Sequence, residues 1–147
     1  MEKFVDVILP LPLHACFTYS LPEDMAGSVQ IGCRVVVPFG RKKYYTAIVQ
    51  NIHYSAPAGY EVKEVSALLD AHPILLPEQF RFWDWLADYY LCTRGDVYKA
   101  ALPSGLKLES ETIVEYNPDF ESDVQLPEKE QKILDLLAAE PEQCITK

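Results

Sequence analysis

Residues 32–52, which read GCRVVVPFGRKKYYTAIVQNI, decide the fold. Residues 34–37 form a run rich in β-branched side chains, and residues 44–52 form a second β-rich run. Gly40 and the three basic residues after it supply a turn between the two runs. The segment therefore predicts a β-hairpin. We expect its first strand to stop at Pro38, because proline has no N–H to donate to a strand ladder.

Further strands are predicted on both sides of this hairpin. Residues 4–9 (FVDVIL) are mostly apolar and β-branched, and prolines follow them closely. In residues 17–21 (FTYSL) apolar and polar side chains alternate, as in a half-buried strand, before Pro22 ends the run. Residues 62–69 (VKEVSALL) favour another strand, although their alanine and leucines leave a helix open. Together these runs predict a mainly β domain.

A change of hydrophobic period after Pro77 predicts a helix. Proline suits the first helical turn, and residues 79–91 (QFRFWDWLADYYL) follow it with apolar side chains on nearly every face. Two neighbouring stripes carry the large apolar residues, with Phe80, Trp83, Ala87 and Tyr90 on one and Phe82, Leu86 and Tyr89 on the other. We therefore expect a largely buried helix. Residues 96–102 follow as a short element whose type the pattern leaves open.

The acidic residues are concentrated towards the C-terminus. The chain has 13 Lys+Arg and 22 Asp+Glu, which gives a net charge of −9. Residues 1–107 have a net charge of only −1, whereas residues 108–147 have a net charge of −8. Residues 108–125 (LESETIVEYNPDFESDVQ) are weakly patterned. They fit an acidic linker with one short strand at residues 112–116.

A second helical pattern begins after Pro127. Its apolar stripe consists of Ile133, Leu134 and Leu137. A lone amphipathic helix cannot bury such a stripe, so we expect the chain to stop inside a second domain. The expected organisation is one domain over residues 1–107, an acidic linker over residues 108–126 and the truncated beginning of a second domain over residues 127–147.

The composition is that of a soluble globular protein. Of the 147 residues, 49% are hydrophobic and 24% are charged. No apolar run approaches the ~20 residues that cross a bilayer, and two prolines interrupt the apolar N-terminal stretch, which makes it a poor signal peptide. We therefore expect a cytoplasmic protein without membrane contact.

Motifs of catalysis and metal binding are missing from the sequence. The four cysteines form no CxxC pair, the three histidines are scattered, and no phosphate-binding glycine loop or HExxH is present. Asp84 and Asp88 lie four residues apart on one face of the predicted helix, where paired carboxylates can do acid–base work. Two solvated carboxylates are the simpler interpretation. The sequence therefore indicates a binding or structural module rather than an enzyme.

Four motifs, in order along the chain, carry a family resemblance. They read VDVILPLPL from Val5, CFTYSLP from Cys16, GCRVVVPFGR from Gly32 and LADYYLCTRGDVYKAALP from Leu86. This series resembles the N-terminal region of the PriA family of bacterial replication-restart helicases, also called primosomal protein N′. The resemblance covers about residues 4–107.

The resemblance implies a fold and a place within a longer protein. In that family the matching region is a 3′-DNA-binding domain, a small, partly barrel-like β unit with a helix. We therefore expect a mainly β, α+β fold with an antiparallel sheet and one buried helix. The linker and the start of a winged-helix domain, with its opening helix at residues 128–140, would follow.

The full-length family is an ATP-dependent 3′→5′ DNA helicase that uses ATP, Mg and zinc. Its helicase motifs and zinc cysteines do not occur in this sequence. We therefore expect no ATPase activity and no cofactor for this stretch of chain.

The resemblance also implies a pocket for the 3′-terminal nucleotide of a nascent leading strand. Its aromatic position falls on Phe17, its glycine on Gly40 and its lysine on Lys63. These residue types suit the task, since an aromatic ring stacks on a base, glycine lets the backbone approach and lysine attracts phosphate. Many relatives have aspartate where this chain has Thr18, so a hydroxyl would contact the terminal 3′-hydroxyl here.

The basic residues Arg41, Lys42 and Lys43 are candidates for additional phosphate contacts, although three adjacent bases in a turn are also typical of a solvated hairpin tip. The expected partner is single-stranded or branched DNA with a free 3′ end at a stalled fork, bound without base-sequence preference. In full-length family members, other primosome proteins and single-stranded-DNA-binding protein are further expected partners. The alternative is a protein-interaction module that uses the aromatic surface and the acidic tail.

Overall fold

A computed structural model gives the architecture of the chain and describes residues 2–57, 59, 61–108, 113–114, 117, 126–139 and 145–146. The chain divides into two compact units, Met1–Ser110 and Glu111–Lys147. The first unit combines a five-stranded antiparallel sheet with two α-helices. The described part of the second unit contains one α-helix and two short strands. The expected α+β fold class is confirmed.

The sheet of the first unit is antiparallel throughout. Its strands are β1 (Lys3–Ile8), β2 (Phe17–Leu21), β3 (Arg34–Phe39), β4 (Lys43–His53) and β5 (Ala67–Leu68), in the spatial order β2-β1-β4-β3-β5. The predicted hairpin is confirmed, because β3 pairs with β4 from Arg34 opposite Ile48 to Phe39 opposite Lys43. β2 is confirmed with the predicted bounds, and β1 is confirmed with a shift of one residue at each end.

Pro38 lies within β3, contrary to the prediction that it ends the strand. The carbonyl groups of Arg34 and Val36 point away from β4, where they accept hydrogen bonds from the N–H groups of Leu69 and Ser66. Pro38 is in phase with these two residues, since backbone groups alternate in direction along a strand. Its missing N–H would therefore point away from β4 and costs no hydrogen bond of the hairpin.

The strand predicted at residues 62–69 is wrong for most of its length. Only Ala67–Leu68 pairs with β3, as β5. Earlier in the segment, Ser20 of β2 donates its N–H to the Lys63 carbonyl at 3.0 Å and accepts from the Val65 N–H at 3.0 Å. The segment thus contacts both edges of the sheet in turn, so one ladder cannot extend along it. The sheet itself stays open and does not close into a barrel.

The core of the first unit is divided between the two faces of the sheet. Successive residues of β1 and β4 point to opposite faces, so Val7 and Val49 enter one apolar cluster while Ile8 and Ile48 enter the other. The first cluster is built mainly from strand residues. The second cluster also receives side chains from the two helices.

Two helices cover the face that carries Ile8 and Ile48. They are α1 (Pro77–Tyr90) and α2 (Arg94–Ala101), and both contribute buried side chains to the second cluster. The element left open at residues 96–102 is therefore helical. Thr93 and Asp96 begin α2 with a capping box, in which each side chain bonds to the other residue's backbone N–H.

The expectation that α1 is largely buried is wrong. Its buried residues are Trp83 and Ala87, whereas Phe82, Trp85 and Tyr89 are 55%, 54% and 66% exposed. The rings of Phe82, Trp85 and Tyr89 are here called the aromatic stripe. Trp85 stacks on both of the others, with its ring centroid 6.0 Å from that of Phe82 and 5.1 Å from that of Tyr89. One side of α1 packs on the sheet and α2, and the described part of the chain leaves the other side in solvent.

The second unit begins with β6 (Ile113–Val114), which pairs antiparallel with β7 (Ile145–Thr146). β6 falls inside the short strand expected at residues 112–116, whose other residues lie outside the described part of the chain. α3 (Glu128–Ala139) confirms the helix predicted after Pro127. Among the described residues of both units, no helix is long and apolar enough to span a membrane.

Candidate nucleic-acid interface

A cleft of about 190 Å³ lies between the start of β2 and the end of β3. Its lining residues are Phe17, Thr18, Tyr19, Pro38, Phe39, Gly40, Glu61 and Lys63. All four pocket residues named from the sequence are among them, although they come from β2, the hairpin turn and the segment after β4. The hairpin and the backbone bonds of Ser20 to that segment bring them together.

Phe17 forms the aromatic wall of the cleft. Its ring packs almost perpendicular to that of Phe39, with centroids 5.0 Å apart and an interplanar angle of 82°. Phe39 is in turn braced by Tyr45, at 6.1 Å and 79°. Phe17 is only partly buried, so the cleft presents an aromatic ring in an orientation fixed by its neighbours.

Thr18 directs its hydroxyl away from Phe17. The two residues are adjacent in β2 and so point to opposite faces of the sheet. The Thr18 hydroxyl donates to Asp6 Oδ1 at 2.7 Å, on the face opposite the Phe17 ring. The hydroxyl proton expected to face a DNA end is therefore committed to a carboxylate of β1.

Asp6 is the acceptor of a small polar group on that face. Asn51 donates to its Oδ2 at 3.2 Å, and His53 Nε2 lies 3.2 Å from its Oδ1. Burial alone raises the pKa of Asp6, but the hydrogen bonds of Thr18, Asn51 and His53 outweigh it and hold the pKa below its usual value.

Thr18 contributes its backbone N–H and C=O groups, rather than its hydroxyl, to the cleft. Ser20, two residues further along β2, uses its N–H and C=O on the outer edge of the strand for Lys63 and Val65. Because backbone groups two residues apart point the same way, the N–H and C=O of Thr18 also face this outer edge. A donor and an acceptor thus lie beside the Phe17 ring.

Gly40 and Lys63 form the opposite side of the cleft. Gly40 has a φ of +72°, a left-handed conformation that glycine adopts without strain. The Lys63 ammonium donates to the Gly40 carbonyl at 2.7 Å. Lys63, the one cation among the described residues that line the cleft, is therefore held against the turn between β3 and β4.

Glu61 lines the same cleft and was missed by the sequence reasoning. No motif marks it, since it follows residues 55–60, whose composition is that of a loop, and belongs to no recognisable pattern. Arg41, Lys42 and Lys43 are exposed and lie next to Gly40 at the hairpin tip, but they do not line the cleft.

A second cavity, of about 420 Å³, adjoins Phe17 on the side of α1 and α2. Asp84 and Asp88 both line this cavity. Asp84 forms an ion pair with Arg94, with 2.5 Å between Arg94 Nε and Asp84 Oδ1. The two carboxylates therefore do not form a free acid–base pair. Among the described residues, no group of three or more His, Cys, Asp or Glu side chains could hold a metal ion.

Residues 6–103 of the chain match the family model of the PriA 3′DNA-binding domain (3′BD). The chain belongs to this family. A winged-helix domain model matches residues 111–147. The family assignment gives the first unit a DNA-binding role, and the cleft described above lies within the matched range.

Curated relatives agree with the family model. The chain is 33% identical over 137 residues to a protein of Bacillus subtilis, covering 90% of this chain and 17% of the relative. It is 38% identical over 108 residues to a protein of Haemophilus influenzae, covering 71% of this chain and 14% of the relative. Both relatives are named replication restart protein PriA. The chain spans 13–17% of the length of such relatives.

Proposed function

We propose that the first unit binds the 3′-terminal nucleotide of a DNA strand, at stalled or branched forks and without base-sequence preference, as part of a replication-restart protein. The observation that carries the proposal is that Phe17, Thr18, Gly40 and Lys63 line one and the same cleft. At about 190 Å³ it is smaller than the ~300–1,000 Å³ typical of drug-sized ligand sites, which suits one terminal nucleotide rather than several.

Each wall of the cleft has a role in this proposal. The terminal base stacks on Phe17, an interaction worth ~1–3 kcal/mol per base that does not depend on base identity. The N–H and C=O of Thr18 bond to the base edge or the sugar. Lys63 attracts the phosphate on the 5′ side of the last nucleotide, and Arg41, Lys42 and Lys43 at the hairpin tip attract phosphates further along the strand.

The test is a fluorescence titration of the chain with labelled oligonucleotides that differ only at their ends. One strand has a free 3′-hydroxyl. The other has the same sequence and a free 5′ end, but a bulky group blocks its 3′ end. We expect the strand with the free 3′-hydroxyl to bind more tightly. Equal affinity for both strands contradicts recognition of the 3′ end.

The remaining expectations about a longer protein belong to the same proposal. A full-length chain would act as an ATP-dependent helicase in the cytoplasm, with primosome proteins and single-stranded-DNA-binding protein as partners and with ATP, Mg and zinc bound outside the present sequence. The winged-helix assignment of the second unit rests on the family match over residues 111–147.

A protein-interaction module is the second candidate function, and the aromatic stripe favours it. Phe82, Trp85 and Tyr89 expose large apolar surface on one side of α1, and aromatic residues are enriched at protein interfaces. Pull-downs with DNA and with candidate partner proteins separate the two functions. Substitution of Trp85 by alanine should affect protein binding and leave DNA-end binding unchanged.

A further inference from the structure

The exposed side of α1 carries rings and charges in an order that is symmetric about Trp85. We propose that this side pairs with the same side of a second copy of the chain, with the two α1 helices antiparallel and a two-fold axis at Trp85. The proposal rests on the protein-interaction function described above, to which it assigns a partner, and it is independent of DNA binding.

The aromatic stripe offers enough apolar surface for a weak interface. Its three rings are each more than half exposed. Since an aromatic side chain presents ~150–250 Å², the stripe exposes roughly 300–400 Å² in one contiguous row. A patch of this size commonly marks an interaction site, but it is smaller than the ~800 Å² per partner of a standard stable interface. We therefore expect a dimer that forms in the micromolar rather than the nanomolar range.

Two rows of side chains share Trp85 as their centre. Phe82, Trp85 and Tyr89 are spaced by three and then four residues. Arg81, Trp85 and Asp88 are spaced by four and then three. Residues at these spacings share one face of a helix. The outer rings therefore lie on one flank of Trp85, and the two charged residues lie on its other flank.

A two-fold axis at Trp85 places each flank against the same flank of the second copy, in reverse order. Arg81 precedes Trp85 by four residues and Asp88 follows it by three. With a rise of 1.5 Å per residue, Arg81 of one copy lies within about 1.5 Å of the height of Asp88 of the other. Phe82 faces Tyr89 of the second copy in the same way. The face is thus complementary to itself, as an isologous interface requires.

The two charged residues are available for these contacts. Asp88 is exposed, and within the described part of the chain its carboxylate has no ion-pair partner. Arg81 contacts Glu78 of its own helix at 3.3 Å, but both side chains are highly exposed, so this pair is weak. The guanidinium has five N–H donors and can bond to a second carboxylate as well. Symmetry produces the ion pair of Arg81 with Asp88 twice.

The experiment is sedimentation equilibrium from low micromolar to several hundred micromolar chain. It compares the unmodified chain with Trp85→Ala, Arg81→Asp, Asp88→Arg and the control Asp24→Arg, which reverses an exposed acid away from α1. A salt concentration of about 0.15 M screens the repulsion between the acidic C-terminal parts. A reducing agent is present because Cys16 is an exposed free thiol, and a disulfide between copies would mimic the dimer.

We expect the unmodified chain and Asp24→Arg to show the same monomer–dimer equilibrium. Trp85→Ala removes the central contact, and each single charge reversal of α1 turns two attractions into two repulsions. Each of these variants should therefore raise the dissociation constant about tenfold or more.

An equimolar mixture of Arg81→Asp and Asp88→Arg should restore the dimer. In the mixed pair every reversed charge again faces an opposite charge across the interface. A variant that had merely lost its fold would not be rescued by mixing, so this result separates loss of the interface from loss of the fold.

Three results overturn the proposal. A chain that stays monomeric throughout excludes a second copy as the occupant of the stripe. A dimer that Trp85→Ala and the charge reversals of α1 leave intact lies on another face. A mixture that stays monomeric contradicts the antiparallel arrangement. Equal affinity for free and blocked 3′ ends, measured at low micromolar chain, would instead overturn the proposed DNA-end function and leave the dimer standing.

Discussion

At the scale of single residues, the cleft depends on the position and shape of one aromatic ring. Phe17→Leu keeps an apolar side chain in contact with Phe39 but removes the flat face on which a base can stack. We expect this variant to bind a 3′-ended oligonucleotide roughly tenfold more weakly, which corresponds to the loss of one base–aromatic stack. Fluorescence anisotropy measures the affinity, and circular dichroism checks the fold.

Phe82→Leu is the matched control for this substitution. Phe82 is 55% exposed and belongs to the aromatic stripe of α1 rather than to the cleft. Its substitution should leave DNA-end affinity unchanged. A comparable loss of affinity in both variants contradicts the assignment of Phe17 to the site.

Asp70 forms an ion pair with Arg34 of β3, and its charge links stability to pH. Arg34 Nη2 lies 2.6 Å from Asp70 Oδ1, and the Arg34 backbone N–H donates to Oδ2 at 2.8 Å. The hydrogen bonds from the Arg34 side chain hold the pKa of Asp70 below its ordinary value and outweigh the opposing effect of burial. A carboxyl whose pKa is lowered by folding stabilises the native state above its unfolded pKa.

We therefore expect Asp70→Asn to lower the free energy of unfolding at pH 7 by about 2 kcal/mol, because it leaves Arg34 without its counter-ion. The difference from the unmodified chain should begin to shrink as the pH falls below about 4, where an aspartate of the unfolded chain takes up a proton. It should be lost as the pH falls through the lower pKa of Asp70 in the folded chain. Urea unfolding at several pH values measures it. The control Asp24→Asn, at an exposed position, should leave the free energy of unfolding unchanged. If the destabilisation by Asp70→Asn persists unchanged at low pH, the explanation is contradicted.

At the scale of elements, the packing of α2 on the chain after β1 requires a glycine. A Cβ built on Gly95 would lie 1.8 Å from the Leu11 carbonyl oxygen and 2.6 Å from that of Leu9. Both neighbours are backbone atoms, so a side chain can be accommodated only if α2 moves. We expect Gly95→Ala to destabilise the first unit by about 1–3 kcal/mol, the usual cost of overpacking.

Chemical denaturation of Gly95→Ala checks this expectation against Gly27→Ala. No atom of the described residues lies within 4 Å of a Cβ built on Gly27, so the control should change stability by less than about 0.5 kcal/mol. Alanine is intrinsically the better helix former, and an increase in stability on substitution of Gly95 contradicts the close approach of the two backbones.

Local patterns predicted the elements whose surroundings are simple. The β-branched runs on both sides of Gly40 formed the hairpin, and Pro77 marked the start of α1. Pro38 was misjudged because a sequence does not tell on which side of a strand the neighbouring strand lies. Residues 62–69 were misjudged because they bond first to β2 and then to β3, which is a property of the assembled sheet.

Burial and site chemistry were only partly predictable. An apolar helix face looks the same in the sequence whether or not another element covers it, so the exposure of the aromatic stripe was missed. Phe17, Gly40 and Lys63 were named from a family resemblance, whereas Glu61 carried no signal. The orientation of Thr18 could have been predicted, because strand alternation places it on the face opposite Phe17.

At the scale of the whole molecule, the distribution of charge governs how DNA binding responds to salt. Residues 1–107 carry a balance of only −1, and the cations at or beside the cleft are Lys63 and the three bases of the hairpin tip. Each phosphate neutralised on a single strand contributes a slope of about −0.7 to a plot of log affinity against log salt. We therefore expect an overall slope no steeper than about −3.

Titrations between low and moderate salt concentration measure this slope. Replacing Arg41, Lys42 and Lys43 together by glutamine should bring it close to the value for one phosphate, about −0.7, while the preference for 3′ ends remains. A slope steeper than about −5 in the unmodified chain would mean that DNA contacts a much larger basic surface than the cleft and its rim.

The two tryptophans of α1 differ in a way that provides an optical probe. Trp83 is 4% exposed and lies against the Tyr98 ring, whereas Trp85 is 54% exposed. Emission from the first should be shifted to the blue and protected from acrylamide quenching, and emission from the second should be red-shifted and quenched. Replacing Trp85 by phenylalanine leaves Trp83, at the junction of helix and sheet, as the one tryptophan of the sequence. Its emission then reports unfolding of that junction without interference from the solvent-exposed indole.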